Sequence, residues 1–207
     1  MPSEDPLIAG DNRASDWRAF REKLADEPSP ELWRTAFTDY LSARLESRYF
    51  EPIKRLENDR KLSGEGFSIM VILCSLVEFL QSTEEGLTYV HGKEPGPDKF
   101  EYRSSQKVFK KFLQEQKPFS NVFTSSDLAH DFYASVRCGL MHEAQTKNGW
   151  RVRWALRREL FADTVGKIVY WNHFRDAVLE YLADYATRLP NDRGLQEAFI
   201  RKFDGLC

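Results

Sequence analysis

The chain has 207 residues, 42% of them hydrophobic, with 15 Phe, 8 Tyr and 5 Trp, which suits one domain, or one domain with a small appendage, around a real core. Charged residues make up 30%, yet the formal net charge is only −2; this excludes a surface that grips nucleic acid all over and leaves room for a local basic groove. Three cysteines, an odd number without C-x-x-C spacing, point to reduced thiols rather than a disulfide frame, so the expected location is the cytoplasm.

Residues 1–14 open with an acidic stretch lacking an apolar run, and are expected to be a disordered lead-in without a secretory signal. Ser15 to Ala25 reads as a short helix capped by Ser15 or Asp16, with Trp17, Phe20 and Leu24 on one face. A second helix starts near Pro30, whose ring suits the first turn, and its apolar face is Trp33, Phe37, Tyr40 or Leu41, and Leu45. Pro52 either kinks it or opens a new helix to Asn58. Residues 15–62 are thus expected to be N-terminal helices packed on the core, ahead of a bundle over 63–207.

The stretch from Phe67 to Ser82 is apolar on nearly every side, as expected of a central helix enclosed by others. Its apolar run ends at Leu80 and contains Glu78, which argues against a membrane span. An acid at that place needs a cationic partner or must be held neutral; it is either one half of a buried ion pair or the group that orients a catalytic side chain. Residues 86–98 read as a loop. A helix from Glu101 to Gln116 follows, with Val108, Phe109, Phe112 and Leu113 inward and Arg103, Lys107, Lys110 and Lys111 on the opposite side.

Leu128, Phe132, Val136 and Leu140 then recur every fourth residue, so Ser125 onward is a helix packed on the core, with Asp127 in its first turn. Trp150, Val152 and Trp154 alternate with Arg151 and Arg153, and Ile168 to Trp171 looks like a second strand; the two are expected to pair as a small hairpin. Asn172 is placed to cap a helix through Leu189 with Phe174, Val178, Leu182 and Tyr185 inside, and Leu195, Phe199 and Phe203 mark a last short helix. The fold class is mainly α: a helical bundle with a small β-hairpin insert near 150–171.

Arg137 and His142 stand off the apolar stripe near the end of the 125–142 helix, so truncating either is expected to cost the core little. Histidine moves protons near neutral pH, and arginine's planar fork holds phosphoryl oxygens as charge gathers on them; together they suit cleavage of RNA through its own 2′-hydroxyl. Five positions put them about 140° apart on an ideal helix, so they converge if the helix loosens near Gly139 or a second chain completes the site. The plainer reading is an arginine paired with a carboxylate and a histidine capping helix carbonyls.

Arg137, Cys138, Gly139, Leu140, Met141 and His142, near the end of a bundle helix, resemble the motif of HEPN domains: arginine, four to six residues, histidine. These are small helical bundles found in RNase toxins, phage-defence effectors and CRISPR-associated nucleases. The resemblance covers about residues 66–189. It implies a metal-independent endoribonuclease without cofactors, a site shared across a homodimer, and a possible antitoxin or regulatory partner. Arg137 and His142 take the catalytic roles, with Glu78, Cys138 and Glu143 as supporting residues. Cys138 stands where many active members carry asparagine, aspartate or histidine, and inactive binding members also exist; a non-catalytic helical module that holds an anion or a protein partner is the other reading. RNA contacts are expected from Arg103, Lys107, Lys110 and Lys111, and from Arg151, Arg153, Arg157 and Arg158, with Trp150 and Trp154 able to stack bases; the plainer reading of both clusters is a solvated face.

Overall fold

The computed structural model describes residues 5–59, 64–92, 98–156 and 160–207. Among them the chain is mainly α-helical, with small sheets of two or three strands. Strands β1 (Leu7–Ala9) and β2 (Asn12–Arg13) pair antiparallel, with Ile8 and Ala9 buried. The expected disordered lead-in is therefore structured from Asp5 on: two apolar residues suffice to anchor it, and Arg13 donates to the Asp5 carbonyl at 2.8 Å. Helix α1 (Ala14–Asp26) follows, its first turn closed by Asp16 accepting from the Arg13 N–H at 2.7 Å.

Helix α2 covers residues 30–58 and changes its winding four times. It runs as α-helix over Pro30–Ala36, π-helix over Phe37–Ser42, α-helix over Ala43–Leu45, π-helix over Glu46–Phe50 and α-helix again over Glu51–Asn58. Its inward residues, Trp33, Phe37, Leu41, Leu45, Tyr49 and Ile53, fall at every fourth position and are buried or half-buried. Four residues advance about 400° on an ideal α-helix, so such a stripe slips about 40° at each step. Turns closed by i→i+5 hydrogen bonds are wider and take the slip back.

Helix α3 (Glu65–Glu85) is the apolar element foreseen, extended at both ends. Among the described residues it is the one helix long and apolar enough to cross a membrane, and 61% of its most apolar window is buried inside the protein. Strands β3 (Thr88–Tyr89) and β4 (Glu101–Tyr102) pair in parallel, so part of the expected 86–98 loop is strand, and helix α4 (Ser105–Glu115) begins after β4. Residues 93–97 lie outside the described residues. Val108, Phe109, Phe112 and Leu113 are buried as their spacing predicts.

Helix α5 covers residues 126–143: α-helix over Ser126–Phe132, π-helix over Tyr133–Arg137, α-helix over Cys138–Glu143. The three-stranded sheet has the order β5 (Arg151–Arg153), β7 (Ile168–Tyr170), β6 (Ala162–Asp163). The hairpin expectation is corrected here. Strand β5 runs parallel to β7, and the antiparallel partner of β7 is β6, joined to it by a turn in which Asp163 Oδ1 accepts from the N–H groups of Val165 and Gly166. Alternation marks a strand but carries no direction, and β6 is too short to show it. Helix α6 (Trp171–Arg188) starts one residue before Asn172, whose amide grips Ala155 (N–H to Oδ1 3.2 Å, Nδ2 to the carbonyl 2.7 Å) instead of capping the helix. Helix α7 (Arg193–Asp204) is capped by Asp192, which accepts from the Leu195 N–H at 3.0 Å.

The contacts divide the chain into two units that interleave along the sequence rather than following each other. One holds the chain up to Pro52, Ser82–Arg103 and Asp184–Cys207; the other holds Ile53–Gln81 and Ser104–Ala183. The first is built on Trp17, whose ring meets Tyr40, Phe199 and Phe203 and whose Nε1 donates to Asp204 at 2.9 Å. Here Lys202 is buried, donating to Ser82 Oγ at 2.7 Å and to the Leu87 carbonyl at 2.9 Å. The second unit has a phenylalanine core in which Phe119, Phe123, Phe132, Phe161 and Phe174 meet edge to face, tilted or stacked. It carries α5 and the Glu78–Arg137 pair described next.

Candidate functional site

The site grows from two helices of the second unit. On α3, Leu73, Leu76, Val77 and Leu80 are fully buried, and Glu78 sits between them with its side chain 15% exposed. On α5, Phe132 and Val136 enter the core, which turns Arg137 toward the rim. Its Nη2 meets Glu78 Oε2 at 3.4 Å, an ion pair with the arginine side chain 18% exposed. Glu78 therefore has the cationic partner its position demands.

Tyr133, four residues before Arg137 and at the start of the π-helical stretch, lies under the guanidinium, with 5.5 Å from its carbon to the ring centroid. The Cys138 thiol acts electrostatically on both the Tyr133 hydroxyl and Arg137. Burial, then the neighbouring Cys138 thiol, pushes the Tyr133 hydroxyl up to about 12. Burial works against the charge on Arg137, but Tyr133 and Glu78 outweigh it and raise its pKa further. Cys74, one helical turn before Glu78, is buried, and burial pushes its thiol up to about 12. The result is a permanent cation held between an acid, an aromatic face and a thiol.

His142 differs. It is exposed in the last turn of α5, and among the described residues no hydrogen bond or ion pair engages its ring. The structure thus gathers Arg137, Glu78 and Cys138 and leaves His142 outside their contacts. Loosening at Gly139 does not occur: Cys138–Glu143 is regular α-helix, and the wide turns lie before it. Gly139 has another task. A Cβ there would stand 2.6 Å from the Gln145 carbonyl oxygen, because the chain reverses at Ala144 (φ 54°) and folds back across the helix. Glu143 is exposed and pairs with Lys147 at 3.1 Å.

The returning segment is pinned by a network that spacing did not reveal. Lys147 N–H donates to the Ser135 carbonyl at 2.8 Å, and Asn148 Nδ2 to Ser135 Oγ at 2.9 Å. Asp131 accepts from Ser135 Oγ at 2.9 Å and from Trp150 Nε1 at 2.9 Å, and pairs with Lys167 at 3.3 Å. Partial burial works to raise the Asp131 carboxyl, but these hydrogen bonds and the Lys167 charge hold it below its ordinary value. Trp150 is 3% exposed and packs edge to face on Phe132, so it belongs to the core and cannot stack bases; its place on the inward side of the strand start is the reason. Trp154 is 57% exposed.

Of the basic residues, Arg151 and Arg153 are exposed on β5, while Arg157 and Arg158 lie outside the described residues. Lys107 and Lys111 are exposed on α4, and Lys110 is half-buried, donating to Ser126 Oγ at 3.0 Å. Arg103 precedes the helix and is half-buried. Tyr133 and Asp131 were missed from the sequence; the signal for Tyr133 was its i, i+4 relation to Arg137, which puts the two side chains together on a helix. Comparison with known proteins adds no relative: no family model, no curated protein and no solved structure matches the chain.

Proposed function

We propose that the chain is a metal-independent endoribonuclease of the HEPN type, acting as a toxin or antiviral defence effector under a regulatory partner. The observation that carries this reading is the contrast at the end of α5. Arg137 is held in place by Glu78 and the Tyr133 ring, and His142 five residues on is exposed with its ring unengaged among the described residues. A fixed cation and an available imidazole are the two parts that phosphoryl transfer to a 2′-oxygen requires. Regular α-helix from Cys138 to Glu143 keeps the two side chains about 140° apart, so the complete site uses two copies of the chain.

In the reaction, the ribose 2′-oxygen bonds to phosphorus as the bond to the 5′-oxygen breaks. His142 takes the 2′ proton, and His142 of the partner subunit returns one to the leaving 5′-oxygen. Arg137 meets the charge on the non-bridging oxygens. The products are a 2′,3′-cyclic phosphate and a 5′-hydroxyl. Incubation of the purified chain with total RNA, with and without EDTA, tests this. Cleavage in both, with cyclic phosphate ends, and its loss in His142→Ala and Arg137→Ala, is the expected result; intact RNA with the unmodified chain overturns it.

Two observations favour a second reading, a non-catalytic helical module that binds an anionic ligand or a protein. Arg137 already has an acidic partner, and Cys138 replaces the polar residue common in active members. Anion binding lost in Arg137→Ala but unchanged in His142→Ala, without any cleavage, is the outcome this reading expects.

A further inference from the structure

We propose that the outer edge of β5 docks an extended segment of a partner protein, alternating acidic and apolar residues, which joins the sheet as an added strand. The docking does not rest on the nuclease reading; that the partner regulates a nuclease does. The sheet ends at β5, since β7 has β5 on one side and β6 on the other. Which backbone groups face outward follows from the ladder. Arg151 N–H donates to the Lys167 carbonyl at 2.8 Å, and Arg151 and Arg153 pair with Ile168 and Tyr170 in parallel register. Backbone groups alternate in direction along a strand, so the N–H and carbonyl of Val152 point away from β7. The Asn172 amide prolongs the same ladder, holding the Ala155 N–H at 3.2 Å and its carbonyl at 2.7 Å as a neighbouring strand would. That leaves the N–H and carbonyl of Trp154 facing outward as well. Among the described residues no hydrogen bond uses these outward groups of Val152 and Trp154. Spare donors and acceptors at alternate residues are what an incoming strand bonds to. At the opposite edge of the sheet, by contrast, Phe161 and Ala162 are buried.

The side chains select the occupant. Arg151 and Arg153 are exposed on one face of the sheet. Arg153 makes no hydrogen bond or ion pair among the described residues, and Arg151 donates only to the Gly166 carbonyl, at 3.1 Å. Nearby acids are engaged elsewhere: Asp163 Oδ1 accepts from the N–H groups of Val165 and Gly166, and Asp131 is occupied by Trp150, Ser135 and Lys167. Val152 lies on the other face with its partner Val169, which is fully buried. Trp154, two residues on, follows Val152 on that face, at the rim, and is 57% exposed. An added strand therefore meets two cations on one face and apolar side chains on the other, and acids alternating with apolar residues match both. A second copy of β5 fits badly, because antiparallel pairing would set arginine beside arginine. A nucleic acid could use the arginines but has no row of N–H and carbonyl groups to complete the ladder. On the nuclease reading, the acids of such a partner also cover two cations expected to hold RNA.

The test is an amide NMR titration of the full chain with a short synthetic peptide of alternating glutamate and valine. The amide signals of Val152 and Trp154 are expected to shift and their hydrogen exchange to slow, because both N–H groups gain acceptors. The same peptide with methylated backbone nitrogens keeps every side chain and charge but cannot join a ladder, and is expected not to bind. Val152→Pro removes one outward N–H and none that β7 uses, so it is expected to lose the peptide and keep its fold. Should that variant fail to fold, the methylated peptide on the unmodified chain decides. Arg151→Glu with Arg153→Glu is expected to weaken the glutamate peptide about 10-fold and to favour a lysine–valine peptide instead. Equal binding of the methylated peptide, or of the lysine–valine peptide to the unmodified chain, overturns the proposal. So does a 2′-O-methyl oligouridylate that shifts Arg151 and Arg153 where the glutamate peptide shifts nothing; the edge is then a nucleic-acid contact. If the peptide binds while natural RNA stays intact, the nuclease reading falls and the docking edge stands. If RNA is cleaved and the peptide does not bind, the edge falls and the nuclease stands.

Discussion

Arg137 lies off the apolar stripe, and from spacing alone its truncation looks harmless. The Glu78 contact changes that: with alanine at 137, a carboxylate with 15% of its side chain exposed loses this cation. Arg137→Ala is therefore expected to cost about 1–3 kcal/mol in urea denaturation, and Glu78→Gln in the same chain to recover part of it, because a neutral amide is cheaper to leave there. Exposed His142 carries no such penalty, so His142→Ala is the cleaner test of catalysis. Asp131 gives a pH signature. Its carboxyl is held below the ordinary 3.8 in the folded chain, so its contribution is complete above that value and is lost as acid takes the pH through the lowered one. Asp131→Asn is expected to melt lower than the unmodified chain at neutral pH, with the gap closing in acid; an equal gap at all pH values would mean that shape alone matters there.

On the scale of the elements, α5 and its returning segment form one piece, and Gly139 is its seam. A methyl group there has 2.6 Å to the Gln145 oxygen, and that oxygen belongs to backbone held by Ser135 and Asn148. Gly139→Ala is expected to lower stability by about 1–3 kcal/mol and to loosen residues 144–150, read as faster amide exchange of Lys147. Much of α5 was legible beforehand: the stripe Leu128, Phe132, Val136, Leu140 named the inward face, and Asp127 the start. The partner of Arg137 was legible as a need, since an acid within α3 must meet a cation, though not as an address. Legibility ended where contacts join residues far apart in sequence, as in the Asp131 network and the parallel pairing of β5 with β7. Trp150 was misread because alternation shows which residues share a side, and only packing shows which side is inward.

For the whole molecule, composition and periodicity were enough to define a mainly helical chain, while the interleaving of its two units depends on where long helices are shared out and left no local trace. The nuclease reading makes an additional demand at this scale, a homodimer with the ends of α5 facing each other. Met141, next to His142, is 50% exposed and supplies apolar surface for such a contact. Light scattering at tens of micromolar is expected to give twice the chain mass, and Met141→Glu to shift it toward a single chain. A single chain from the unmodified protein would count against the shared site.

The π-helical stretches have a bearing on how this chain can vary in length. A wide turn holds one residue more than an α-turn needs, so each is slack wound into a helix. Removing Ala134, half-buried within Tyr133–Arg137, would change the spacing of the four inward residues of α5 from 4-4-4 to 4-3-4, the rhythm an ordinary α-helix prefers. Deletions in helices normally swing everything downstream through about 100°. Here the shortened helix is expected to keep Phe132 and Val136 in the core and the arginine against Glu78, with a thermal midpoint close to that of the full chain. The same deletion inside Cys138–Glu143, where no slack is stored, is expected to turn His142 to another side and to destabilise the chain.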